Sequence, residues 1–186
     1  MTQPTLRTDR LILRPFISGD AAAVQELAGE FAIADTTLNV PHPYADGLAE
    51  SWIAAHEAQY RAGEAATFAI TLKADLALIG AIGLTLFPRF RRGELGYWIG
   101  VPFWNRGFCT EAVRAVIDFG FTTLKLHKIC AHHLSRNPAS GRVMQKAGMS
   151  KEGTFKDQTI KWDRFESVDA YGRIVTDTLS LAAVEP

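Results

Sequence analysis

The stretch NRGFCTEAV, residues 105–113, sets a glycine in a turn directly before a run that reads as a helix. The first N–H groups of a helix lack partners within it, and the helix dipole adds partial positive charge there. Such a junction suits a phosphate or another anion. A plain loop-to-helix junction has the same letters, so this stretch alone leaves both readings open. GYWIGV just before it reads as a strand, and strand, turn and helix N-terminus form the general phosphate-cradling design. Neither common nucleotide signature is met: there is no GxxxxGK followed by Ser or Thr, and GFCTEA is not GxGxxG with a following strand and acidic ribose ligand. The ligand to ask for is a different bearer of pyrophosphate. His132 and His133 are adjacent on a strand, so they face opposite ways and cannot chelate one ion; no metal site is expected. His127 reads as a turn residue, Cys109 as structural, and Trp52, Trp98 and Phe103 as core. Nothing has the context of a Ser-His-Asp or Cys-His set.

The elements that must position this junction belong to one domain, residues 1–186, with no repeat and no low-complexity linker. Hydrophobic residues make up 47% and charged residues 22%, which is a globular composition. Lys and Arg total 20 against 20 for Asp and Glu, interspersed, so no basic face for nucleic acid is expected and no strong steering of charged ligands. The two cysteines form no CxxC pair, the N-terminus lacks a signal peptide's apolar run, and no stretch approaches membrane-spanning length. The expectation is a cytoplasmic protein with no membrane partner, monomeric or homodimeric.

LRTDRLILRPF reads as a first strand, with Leu11 and Leu13 alternating against Ile12 and Arg14 up to Pro15. Asp20 is expected to cap a short helix to about Gly29, and NVPHPY is expected as loop. A second helix starts at Asp46 or Gly47 and runs to about Gly63. ATFAITL and LALIGAIGLTLF read as a hairpin about KAD, and GELGYWIGV as a further strand. On that strand Leu95, Tyr97, Ile99 and Val101 share one side, opposite Glu94, Gly96, Trp98 and Gly100, and Pro102 ends it. The following helix is the clearest: Val113, Val116, Ile117, Gly120, Phe121 and Leu124 lie on one face and Glu111, Arg114, Asp118 and Thr122 on the other. KICAHHL is a strand. Asn137 then caps a helix with Pro138 first and Gly148 as its stop, and strands follow at about 149–161 and 165–176. The sum is a mixed α/β sheet with two crossover helices.

TDRLILRPF, GELGYWIGVPFWNRGFCTEAV, LHKICAHHLSRNPASGRVMQKAGM and AYG, in that order, resemble the GNAT superfamily of N-acetyltransferases. Within it they are most similar to the RimJ- and RimL-type ribosomal-protein-alanine acetyltransferases. The resemblance spans residues 8–175. It implies a mixed, mostly antiparallel sheet with flanking helices, in which the fourth and fifth strands splay. It also implies that the turn holds the pyrophosphate of acetyl-CoA. The superfamily pattern Arg/Gln-x-x-Gly-x-Gly/Ala falls on Trp104, Asn105, Arg106, Gly107, Phe108 and Cys109, with Thr110 next. Gly107 matches, while Trp104 and Cys109 depart from it. Backbone N–H groups supply the grip, so both departures are tolerated. Arg106 reads equally as a phosphate contact or a solvated loop residue. The fourth strand, ending near Ile99, is implied to offer free backbone groups to the pantetheine chain, which adds like a strand. Asn137 matches a cofactor-contacting Asn of the family, a role compatible with capping.

The implied reaction moves an acetyl group from acetyl-CoA directly to an amine, of a protein N-terminus or a small molecule. It needs a proton acceptor for the amine and a donor for the departing thiolate. Glu94, on the splaying strand, is the expected acceptor; its alternative is a surface carboxylate beside RFRRG. Many relatives carry an acidic Tyr where Met144 stands. Ser140 is the substitute this subgroup suggests, against a plain first-turn residue. Met144 also keeps open a non-catalytic acyl-CoA-binding module or sensor. The acceptor pocket is expected from the second helix, the NVPHPY loop and the last two strands.

Overall fold

Residues 2–176 are described by a computed structural model. Its elements run β1 (Leu6–Arg7), β2 (Leu11–Arg14), α1 (Ala21–Ala28), α2 (Phe31–Thr36), α3 (Leu48–Ala62), β3 (Ala65–Leu72), β4 (Leu78–Phe87) and β5 (Arg92–Ile99). Then come α4 (Phe108–Thr122), β6 (Lys128–Leu134), α5 (Pro138–Lys146), β7 (Ser150–Lys161) and β8 (Arg164–Ile174). The strands form one eight-stranded sheet in the order β1-β2-β3-β4-β5-β6-β8-β7. Every neighbouring pair is antiparallel except β5 and β6, which α4 joins by a crossover.

Helices cover both faces. The apolar stripe of α4 brings Val113, Val116 and Ile117, all fully buried, onto Leu13, Phe68 and Leu84. Fully burying a Val or Ile is worth about 1.5–3 kcal/mol, so this stripe seats the helix. On the opposite face Val24 and Ala28 of α1 pack with Ala49 and Ile53 of α3, and Trp52 and Trp98 lie against them. The expected inward face of α4, the two glycine bounds of α3, the β3–β4 hairpin and the Asn137–Gly148 frame of α5 all hold.

Four details differ from the sequence reading. The first strand is two strands, because residues 8–10 turn back and Thr8 N–H bonds Leu11 O at 3.0 Å. The expected fourth and fifth strands are therefore β5 and β6. Asp20 does not cap α1: its carboxylate takes two Arg14 nitrogens, each at 2.8 Å, and the Ile17 N–H at 2.9 Å. It thereby closes the short turn Ser18–Asp20 ahead of the helix. Helix α2 lies where no helix was expected. Finally, β5 ends at Ile99, and Val101–Phe103 forms a 3-10 turn, so Val101 does not continue the strand face.

Among the described residues no helix is long and apolar enough to cross a membrane.

Candidate active site

The sheet opens in its middle. β5 and β6 are in register only from Arg92–Lys128 to Leu95–Ala131. Beyond that, β5 stays paired with β4 as far as Ile99, while β6 stays paired with β8 as far as Leu134. The two halves of the sheet diverge, as twisted neighbours do once their ladder stops. Gly100 N–H bonds Ile79 O on β4 at 2.8 Å. Successive residues of a strand point their backbone groups to opposite edges, so those of Ile99 and Tyr97 face the gap. The Ile99 carbonyl already accepts from the Trp104 indole N–H at 2.5 Å, which gives Trp104 a local job. A cleft of about 880 Å³ runs through the gap.

One mouth of the cleft is built by the N-termini of α4 and α5. Gly107 is the residue before α4 and has φ +79°, a left-handed conformation that glycine adopts without strain. Arg10 fastens this corner: its guanidinium bonds Glu111 Oε2 at 2.7 Å and Arg106 O at 3.0 Å. Glu111 also takes the Thr8 hydroxyl at 2.6 Å and the Arg10 N–H at 2.8 Å. Burial disfavours its charge, but these bonds outweigh that and hold the carboxyl below its ordinary range. Trp104, Asn105, Gly107, Phe108, Cys109 and Thr110 line the cleft. Arg106 is not among the lining residues, and its guanidinium lies 6.0 Å from the Phe103 ring centroid. Arg142 and Lys146, on α5, do line it. Burial pushes the Cys109 thiol up to about 12, which keeps it protonated.

Helix α5 approaches β6 closely because residue 141 is glycine: a Cβ there would lie 2.7 Å from His133 Nε2. That docking sets Ser140 against β5. Its Oγ is 2.8 Å from the Tyr97 hydroxyl, which also donates to Ser140 O at 3.1 Å. Burial pushes the Tyr97 phenol up, so it stays a donor. Asn137 Oδ1 accepts the Ser140 N–H at 3.4 Å, and its Nδ2 donates to Thr36 O at 3.2 Å. Asn137 therefore caps α5 and ties it to the end of α2.

Glu94 lies at the floor of the gap on the other face of the sheet. Its Oε1 meets His132 Nδ1 at 3.2 Å. The hydrogen bond to His132 lowers the carboxyl's pKa, burial opposes this, and the charges of His132 and Arg92 reinforce it. Glu94 and Ser140 thus flank the opening from opposite sides of β5. Two residues here escaped the sequence reading, Tyr97 as a partner of Ser140 and His132 as a partner of Glu94. Parallel pairing of Glu94 with Cys130 puts His132 on its diagonal, so only the strand register reveals that contact.

A splayed parallel pair beside two helix N-termini offers a strand edge and an anion site within one cleft, and comparison with known proteins gives this architecture a family. Residues 10–150 match the acetyltransferase (GNAT) domain. An uncharacterized N-acetyltransferase of Bacillus subtilis, YoaA, is 33% identical over 156 residues, covering 82% of this chain and 86% of the relative. The ribosomal protein uS5-alanine N-acetyltransferase of Escherichia coli is 33% identical over 84 residues, 42% of this chain and 43% of its own. The structure of RimL, a ribosomal L7/L12 alpha-N-protein acetyltransferase in complex with coenzyme A, superposes with a TM-score of 0.86 at 15% identity, over 94% of this chain and 99% of that one. The chain belongs to the GNAT family of N-acetyltransferases.

Proposed function

We propose that the protein transfers the acetyl group of acetyl-CoA directly to a primary amine, of a protein N-terminus or a small molecule, within one domain spanning residues 1–186. The observation that carries this is the early end of the β5–β6 ladder at Leu95–Ala131, four residues before β5 itself ends at Ile99. Beyond Leu95 the β5 edge has no strand beside it and, apart from the Ile99 carbonyl that Trp104 takes, turns its backbone groups to the cleft. An extended pantetheine chain supplies partners there. The backbone N–H groups at residues 107–110 and the α4 dipole suit its pyrophosphate, with Asn137 at the far lip. Acetyl-CoA supplies the activated acetyl thioester.

The chain's own groups divide the proton work across the sheet. On one face Glu94 accepts the proton of the amine and hands it to water, while the His132 Nδ1 contact holds the carboxylate in place. On the other, Ser140 donates to the departing thiolate, in the first turn of α5 where negative charge is favoured. Tyr97 orients it: the phenol has one proton, which goes either to Ser140 O or to Ser140 Oγ, and in the second arrangement the serine proton is free to point into the cleft.

Release of free thiol from acetyl-CoA, followed across a panel of amines, tests the reading. Amine-dependent release is expected, and acetyl-CoA binding without release for any amine would make the chain a binding module instead. In the same assay Ser140→Ala is expected to lower kcat with little change in melting temperature. The Tyr97 hydroxyl keeps its bond to the Ser140 carbonyl, and Ala is a good helix former, so the structural cost stays below about 1 kcal/mol. Normal turnover at normal stability would remove Ser140 from the mechanism.

A further inference from the structure

Opposite the α4 and α5 mouth, the cleft has a second half whose walls describe what fits it, given the acetyl-transfer reading above. Val24 of α1 and Ile33 of α2 form its base, both almost fully buried. Tyr44, Trp52 and Trp98 add half-buried aromatic surface, and Leu48 stands at the rim. Among the described residues that line the cleft, Glu94 is the only carboxylate. Two acidic groups behind the wall are already committed, since Arg136 bonds Asp35 Oδ2 at 2.9 Å and Glu166 Oε1 at 2.7 Å. Apart from the two histidines, the basic residues lining the cleft among those described are Arg142 and Lys146, both on α5, the helix of Ser140.

The wall is also strapped in place. Lys161 on β7 donates to Leu38 O and Val40 O, each at 3.1 Å, and Arg136 Nη2 donates to Asp35 O at 2.6 Å. The Trp162 ring stacks on Phe31 with centroids 6.0 Å apart. A fixed apolar wall suits a small molecule in a preformed pocket.

Charge count then selects among amines. An ammonium buried beside apolar groups without a partner is costly, so a single carboxylate serves a single ammonium. A polyamine brings further cations with no anion to meet them. A free amino acid brings a carboxylate next to its amine, with no Lys or Arg on α1, α2, α3 or β5 lining the cleft among the described residues. We infer that the acceptor is a small monoamine of the arylalkylamine class, in which the reacting amine is the only charge and the rest is apolar with an aromatic ring. The ring lies among Tyr44, Trp52 and Trp98, and the amine reaches Glu94.

The test measures kcat/KM by thiol release at saturating acetyl-CoA, with phenethylamine, spermidine, phenylalanine and an alanine-tipped peptide as acceptors. Phenethylamine is expected to lead each of the others by about tenfold or more. Leu48→Glu places a carboxylate at the rim, at the first position of α3, where the dipole favours it. It is expected to raise the spermidine-to-phenethylamine ratio. Preference for spermidine, phenylalanine or the peptide in the wild type would overturn the acceptor class and leave acetyl transfer standing. Acetyl-CoA binding with no release for any acceptor would overturn both.

Discussion

Replacing Glu94 with Gln is expected to lower kcat by about 10²–10⁴-fold, the usual range for a general base. The rise in melting temperature that acetyl-CoA produces is expected to persist, because Glu94 lies across the sheet from the α4 corner. Gln keeps an oxygen for the His132 Nδ1 contact, so the side chain holds its place and loses only its capacity to take a proton. The pH profile carries a second signature. With its pKa lowered, the proton-accepting carboxylate exists at all pH values above that pKa and is lost only as pH falls through it. Wild-type turnover is therefore limited by Glu94 only below the ordinary glutamate value of about 4.3. A carboxylate whose pKa is lowered passes the proton on to water rather than holding it. A fall in kcat smaller than about threefold, well under the general-base range, would return Glu94 to a surface role.

Gly107→Val is expected to abolish the thermal shift caused by acetyl-CoA. In the wild type a ligand at a hundred times its Kd adds about 2.7 kcal/mol to stability. A β-branched residue at φ +79° is strained, and its side chain would stand where the backbone must come close to a pyrophosphate. The strain itself costs about 1–3 kcal/mol. The fold survives this because α4 is seated by Val113, Val116 and Ile117, away from its first turn. The melting temperature of the ligand-free variant measures the strain, and titration with acetyl-CoA measures the site. An undiminished shift would place the cofactor's phosphates elsewhere.

Periodicity and end signals made the scaffold of the site readable from sequence. Fifteen residues of α4 with one apolar face mark it as a helix, and Asn137, Pro138 and Gly148 bracket α5 by the chemistry of helix ends. Helix α2 escaped because it has six residues, of which Ile33 and Ala34 alone are buried, and no side-chain cap. The contacts within the site were harder to read for a different reason. Tyr97 and Ser140 are 43 positions apart and meet only when α5 docks on β6 through Gly141. Glu94 and His132 meet only when β5 and β6 pair in parallel in one register. Sequence spacing carries neither condition. The acceptor pocket was expected from the second helix, the NVPHPY loop and the last two strands; Leu48, Trp52, Val40, Tyr44 and Val168 line the cleft, and of the last two strands β8 alone contributes. That α1 and α2 also line the cleft, through Val24, Ala28 and Ile33, depends on tertiary packing.

The wedge between β5 and β6 as the seat of acetyl-CoA is tested most directly by amide hydrogen exchange at residue resolution, with and without the cofactor. Slowed exchange concentrated at residues 107–110 and at Tyr97 and Ile99, with strands β1 to β3 unchanged, is the predicted result. Saturating acetyl-CoA that leaves those amides exchanging at their free rates, or that protects a different edge of the sheet, would contradict it.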